Sequence, residues 1–306
     1  ALGYRALEDF VADTDGHGGN TAVGSSSMSN LSTGTENTAV GGLAMGTGVT
    51  TGIYNTAVGY GAGNQLTSGQ YNVLVGGNAG TAITTGESNV IIGLNAGDAL
   101  VEGHDNVAIG QSALSSENAH GRNTAIGHQT LSTLDAGADG YNTAVGYHAG
   151  TLMTTGINNT LVGSFSGDAL TSGFDNTFIG KNCGGRTTIG NNNVAIGDQA
   201  LSYNIAGDRN VAIGEGALSV MTAASTTDTH NTAVGYRSGL AVTSGVDNTL
   251  LGASAGDALT TGDNNIIIGY NAAASAVGVD NETVIGTTTT TSALVHGLKQ
   301  PVIAAS

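Results

Sequence analysis

Asn55-Thr56-Ala57-Val58-Gly59 is one copy of a five-residue word on which the reading of the whole chain turns. The word is Asn, usually Thr or Val, a variable apolar residue, Val/Ile/Leu, then Gly. It starts at Asn20 and Asn37, recurs through Asn72, Asn89 and Asn106 as far as Asn265, and ends in a last copy at Glu282. A truncated copy closes at Gly3. Twelve of the sixteen intervals between closing glycines are 17 residues; the others are 18, 19, 21 and 21. A period of this length is too short for a two-helix repeat or a propeller blade. It fits one turn of an all-β parallel β-solenoid, a β-roll of about seventeen coils and roughly 80 Å long at the usual strand spacing.

Each coil is expected to hold two short strands and two turns. Past the closing Gly comes a small residue at +3, such as Ala62, Ala79 or Cys183, and an aliphatic one at +7, such as Leu66, Ile83 or Leu100. Glycines supply positive φ at the turns. The leading Asn suits a turn and a ladder of hydrogen bonds from coil to coil.

Composition narrows the function. The 306 residues include 51 Gly, one Pro and no Trp, with 10% charged and 39% hydrophobic residues. The regular apolar pattern separates the chain from disordered Gly-rich sequences, and glycine lacks the every-third spacing of collagen. A net charge of −16 with seven Lys and Arg argues against nucleic acid and anionic membrane surfaces. No apolar run is long enough for a membrane-spanning helix. No signal peptide opens the chain, so an export signal is expected to have been removed or to lie elsewhere.

Strand side chains alternate between faces. Positions two and four of the word are read as the inside of the coil, which puts position three outside. Position three runs Ala, Ala, Ala, Leu74, Ile91, then Ala, Ala, Ala, Leu161, Phe178, then Ala, Ala, Ala, Leu250, Ile267, then Val284. An outward apolar column implies a cover, and a second copy of the chain is the simplest one. Leu74, Ile91, Leu161, Phe178, Leu250 and Ile267 are therefore the expected subunit-interface residues. The same column has a five-coil period. It divides the solenoid of residues 22–286 into units 22–107, 108–194 and 195–283, with an irregular coil at 1–21 and a tail or cap at 287–306. Coil edges invite pairing, so the start inside a repeat at Ala1 predicts continuation into another segment or subunit.

Asn106-Val-Ala-Ile-Gly110 and Asn193-Val-Ala-Ile-Gly197 resemble the head repeat of YadA-like trimeric autotransporter adhesins, although the period there is shorter. Asn-Thr-Ala-Val-Gly-Tyr at 55–60, 142–147 and 231–236 resembles the repeats of phage tail fibres. This likeness implies a homotrimer, a virion tail-fibre shaft or tip outside the cell, and a cell-surface glycan or protein receptor. It also implies an endosialidase-type chaperone domain released after Ser306. The cellular alternative is a bacterial adhesin, or a filament subunit stacking end to end.

Chemical motifs dissolve into the repeat. Gly252-Ala-Ser254-Ala-Gly256 has the nucleophile-elbow spacing but reads as one more turn. Asp13-Thr-Asp15-Gly16-His17 begins like a calcium loop and lacks its end. Asp98, Asp168 and Asp257 recur in turn words, and the seven His are scattered. No spacing indicates a metal site, cofactor or nucleophile triad, so the chain is expected not to be an enzyme. Tyr60, Tyr147 and Tyr236, just past closing glycines, are the candidate receptor contacts, together with enlarged coils around 131–141 and 218–230. Thr21, Thr38 and Thr56 form a short Thr column of the kind found in ice-binding solenoids. Val73, Val90 and Val107 interrupt it, and it is expected to face inward.

Overall fold

A computed structural model describes residues 1–9, 18–223 and 227–290. They form an all-β parallel solenoid. Sixteen three-residue strands, from Thr21–Val23 to Thr283–Ile285, stack in chain order into one parallel sheet. Every copy of the word pairs in register with the next, as Thr56 with Val73, Ala57 with Leu74 and Val58 with Val75. Leu2 bridges to Val23, so the truncated word at the start also joins the ladder. The Asp13–His17 segment, His296 and the chain from 291 onward lie outside the described residues.

The expected second strand is absent from the regular coils. The rest of each coil is a series of turns, with three residues per coil in the left-handed region, such as Asn78 (φ 54°), Gly80 (φ 56°) and Ser88 (φ 58°). One extra two-residue pair, Gly207–Asp208 with Thr227–Asp228, forms at the enlarged third-unit coil.

The closing Gly is required twice over. Gly76 has φ +136°, and a Cβ there would lie 2.5 Å from the Gly93 carbonyl oxygen of the next coil. The strands stack at the backbone separation that a side chain would block.

The leading asparagines form the ladder the sequence suggests. All but Asn20 are buried. The Asn72 carboxamide oxygen accepts the Asn89 N–H (3.1 Å), while its own Nδ2 donates back to Asn55 Oδ1 (3.0 Å) and onward to the Gly86 carbonyl (2.9 Å). One side chain thus joins three coils. The column ends where the Glu282 N–H donates to Asn265 Oδ1 (2.9 Å). Replacing one rung leaves several buried groups without partners, each costing about 1–3 kcal/mol. We predict that Asn159→Leu lowers stability by about 2–4 kcal/mol, read as a fall in melting temperature, whereas the exposed turn change Asp175→Asn shifts it little.

The two faces of the strand are the reverse of the sequence reading. Position three points into the coil. Leu74, Ile91, Leu161, Phe178, Leu250 and Ile267 all have 0% exposure within a single chain and belong to its core. They are not a subunit interface. The reason is the +3 and +7 residues, Ala62, Leu66, Ala79, Ile83 and their equivalents, which turn inward and meet position three across a very narrow interior.

Position three and the residue at +4 past the closing Gly share that narrow space. In the first two coils of each unit position three is Ala and +4 is large: Met28 and Met45, Leu114 and Leu131, Leu201 and Leu218, all buried. In the fourth coil position three is Leu, and +4 is Gly80, Gly167 or Gly256. A Cβ at Gly80 would fall 2.9 Å from Leu74 Cδ2, and one at Gly167 would fall 2.9 Å from Leu161 Cδ2. The third coil is small at both places, Ala57 with Gly63, and a Cβ on Gly63 would fall 2.7 Å from Leu74 Cδ1 of the next coil. The first, second and fourth coils thus exchange core volume between two sides of the coil, and the fourth coil's Leu also fills the space over the third, at close-packed density.

Candidate interaction surface

With position three inside, positions two and four face out. Across the sixteen strands none of these thirty-two side chains is buried. Position two alternates between runs of Thr and runs of aliphatic residues: Thr21, Thr38 and Thr56, then Val73, Val90 and Val107, then Thr124 onward. Position four is aliphatic in every strand, from Val23 through Ile92, Ile126 and Ile179 to Leu251 and Ile285. Ile179 is 37% and Leu251 45% exposed. Parallel in-register pairing lines these up as two columns about 70 Å long, with one row per strand about every 4.8 Å. A strip about 10 Å wide over that length presents on the order of 700 Å² of uncharged, largely apolar surface, more than isolated monomers usually leave open.

Tyrosines border the strip on both sides. Tyr60, Tyr147, Tyr236 and Tyr270 follow the closing Gly and are exposed, as are Tyr54, Tyr71 and Tyr141 just before the leading Asn. Tyr54 and Tyr71 stack at 5.7 Å in neighbouring coils. The candidate receptor contacts do not gather into one site. Tyr60, Tyr147 and Tyr236 recur every five coils, about 24 Å apart. Tyr147 is held in an aromatic group with His128 (5.3 Å), His148 (4.1 Å) and Phe165 (5.4 Å). Tyr236 lies under the guanidinium of Arg237 at 5.0 Å. Each ring thus has a different neighbourhood.

The remaining singled-out residues separate. Asp168 borders a shallow cavity of about 330 Å³ with Asn182, Arg186, Gln199 and Tyr203, and Arg186 stacks over Tyr203 at 4.3 Å. Partial burial pushes the Asp98 and Asp168 carboxyls above the usual range; Asp257 is exposed. Ser254 takes the left-handed turn position that Asn78 and Asn95 occupy in other coils, and the described residues contain no helix to complete an elbow. Cys183 is fully buried, its Sγ 3.0 Å from the Ala195 carbonyl, as Ser166 Oγ is from the Phe178 carbonyl. Burial pushes its thiol up to about 12, which keeps it protonated and unreactive.

Sequence reasoning missed one cluster, Glu117, His120 and Asp135. The signal was available. Glu117 stands seven residues past Gly110, where the coils before and after place Leu100 and Leu134.

No protein-family model matches this chain, and neither does any curated protein or solved structure.

Proposed function

We propose that the chain is the shaft of a homotrimeric extracellular fibre, in which the outward aliphatic strips of three copies face one another. The supporting observation is the unbroken position-four column. It has no charge in any of its sixteen rows, and an identical strip offers the same row spacing, so two copies mesh without a register conflict. The number three, the tail-fibre role and attachment to a cell surface rest on the likeness of Asn-Thr-Ala-Val-Gly-Tyr at 55–60, 142–147 and 231–236 to fibre repeats. Tyrosines recurring about every 24 Å would give repeated weak contacts with a surface glycan or protein, which gain strength together. A bacterial adhesin or end-to-end filament uses the same strip.

A second reading draws on the same surface. Thr21, Thr38 and Thr56, and again Thr124, Thr143, Thr160 and Thr177, face outward in evenly spaced columns, contrary to the inward placement expected from sequence. An ice-binding face has that form. Both readings compete for one strip, so mass in solution separates them. Light scattering on the eluting protein is expected to give about 90 kDa, three times the chain mass of 30.0 kDa. A 30 kDa species that depresses the freezing point of ice without shifting its melting point would replace the fibre reading with the second one.

A further inference from the structure

Glu117 is a carboxylate in the aliphatic core column and has 0% exposure. Two backbone groups hold it: the His120 N–H donates to Oε1 (3.1 Å) and the Ala136 N–H to Oε2 (3.3 Å). Among the described residues, no Lys or Arg pairs with it. The basic group beside it is His120, whose Nδ1 lies 3.4 Å from Glu117 Oε1. That Nδ1 atom is itself buried and makes no hydrogen bond. Asp135, from the enlarged coil that follows, brings a third donor, and the three ligand atoms lie within 4.8 Å of one another. A buried carboxylate without a cation is costly.

We propose that Glu117, His120 and Asp135 bind a divalent transition-metal ion of the zinc class. Tetrahedral bonds of about 2.0–2.1 Å separate neighbouring ligand atoms by about 3.3 Å, and the Glu117–His120 pair is already at 3.4 Å. Asp135 is exposed and closes the remaining gap by rotating its side chain. One nitrogen and two carboxylates suit zinc, manganese or cobalt better than calcium, which favours six to eight oxygens. Three protein ligands leave a position for water. Their place is structural: Glu117 and His120 belong to one coil and Asp135 to the next, so the ion pins the enlarged loop of 131–141 to the regular solenoid beneath it. The separate group of His104, Arg122 and Asp139 lies beside this site, with Asp139 already engaged by Arg122 and the Gly121 N–H.

The test is calorimetric titration of chelator-treated, dialysed full chain with Zn²⁺, followed by thermal melts. One ion per chain is expected, with a rise in melting midpoint of about 3–5 °C at saturating metal. His120→Ala and Glu117→Leu are expected to abolish both responses, and His230→Ala to leave both intact. Glu117→Leu restores the residue that Leu100 and Leu134 supply in the adjacent coils, so it is expected to fold and, without metal, to melt no lower than the parent. Zinc binding that survives in either of the first two variants overturns the proposal. So does the absence of any zinc response in the parent, which would leave His120 as a neighbour of Glu117 with no ligating role. A site that takes Ca²⁺ in preference to Zn²⁺ overturns the choice of ion.

Discussion

Aspartate at two adjacent positions, Phe178 and Ile179, is expected to give opposite failures. Phe178 fills the narrow interior with 0% exposure, while Ile179 stands on the outward strip. Phe178→Asp removes a large core side chain, worth about 3–5 kcal/mol by itself, and buries a carboxylate with no partner, for a total of roughly 5 kcal/mol or more. The coil around it should open, with loss of sheet signal by circular dichroism and ready proteolysis near residue 178. Ile179→Asp, combined with Ile126→Asp to place two charges along the strip, leaves the interior untouched. The chain should keep its sheet signal, while the proposed trimer of about 90 kDa gives way in light scattering to single chains of 30.0 kDa. Like charges brought together in an assembled strip cost several kcal/mol. Equal loss of folding in both variants would show that positions three and four do not differ in the way their burial indicates. An unchanged trimer carrying both outward aspartates would move the interface elsewhere.

That contrast also measures what the sequence made legible. The coil, its period and the Asn ladder were readable because each repeats at every turn, and stacking in register multiplies one local signal sixteen-fold. The direction of the strand was not. In most antiparallel sheets the apolar residues of a strand mark its buried face. Here both faces are apolar, so Thr56-Ala57-Val58 carries no internal sign of which side is in. The deciding evidence was steric. A narrow coil accepts Ala at position three and excludes a continuous column of Val and Ile, and the +3 and +7 residues already occupy the opposite wall. The inference that something covers an outward apolar column stands on the same argument, but the column is position four, not position three. The Glu117 site was hidden for a different reason. Its three residues lie in two coils and mean nothing as a spacing. Only the misfit of a carboxylate in an aliphatic column points to it.

The five-coil period gives the second large effect, through a swap of core volume. Leu74 and Gly80 face each other in one coil, where a Cβ on Gly80 would come within 2.9 Å of Leu74 Cδ2 and 2.7 Å of Ile83 Cδ1. Leu74→Ala alone should cost about 3–5 kcal/mol, because the stiff backbone ladder prevents the coil from collapsing into the cavity. Gly80→Leu alone should cost about 2–4 kcal/mol, from overpacking against Leu74 and from a non-glycine residue at φ 56°. Within their own coil the two changes recreate the pairing of Ala125 with Leu131 or Ala108 with Leu114, in which Leu131 and Leu114 sit in the same left-handed position at φ 50° and 52°. What they do not restore is the packing of Leu74 over Gly63 of the preceding coil. The double variant should therefore be more stable than either single one, with a coupling energy above about 2 kcal/mol in a double-mutant cycle on denaturation midpoints. Solenoid stability is close to a sum of coil and neighbour terms, so the effect should stay local, and the same exchange at Leu250 and Gly256 should behave alike. Additive losses would mean that position three and +4 do not share one space. The recurrence of Ala with Met or Leu, and of Leu with Gly, would then need a cause outside the core.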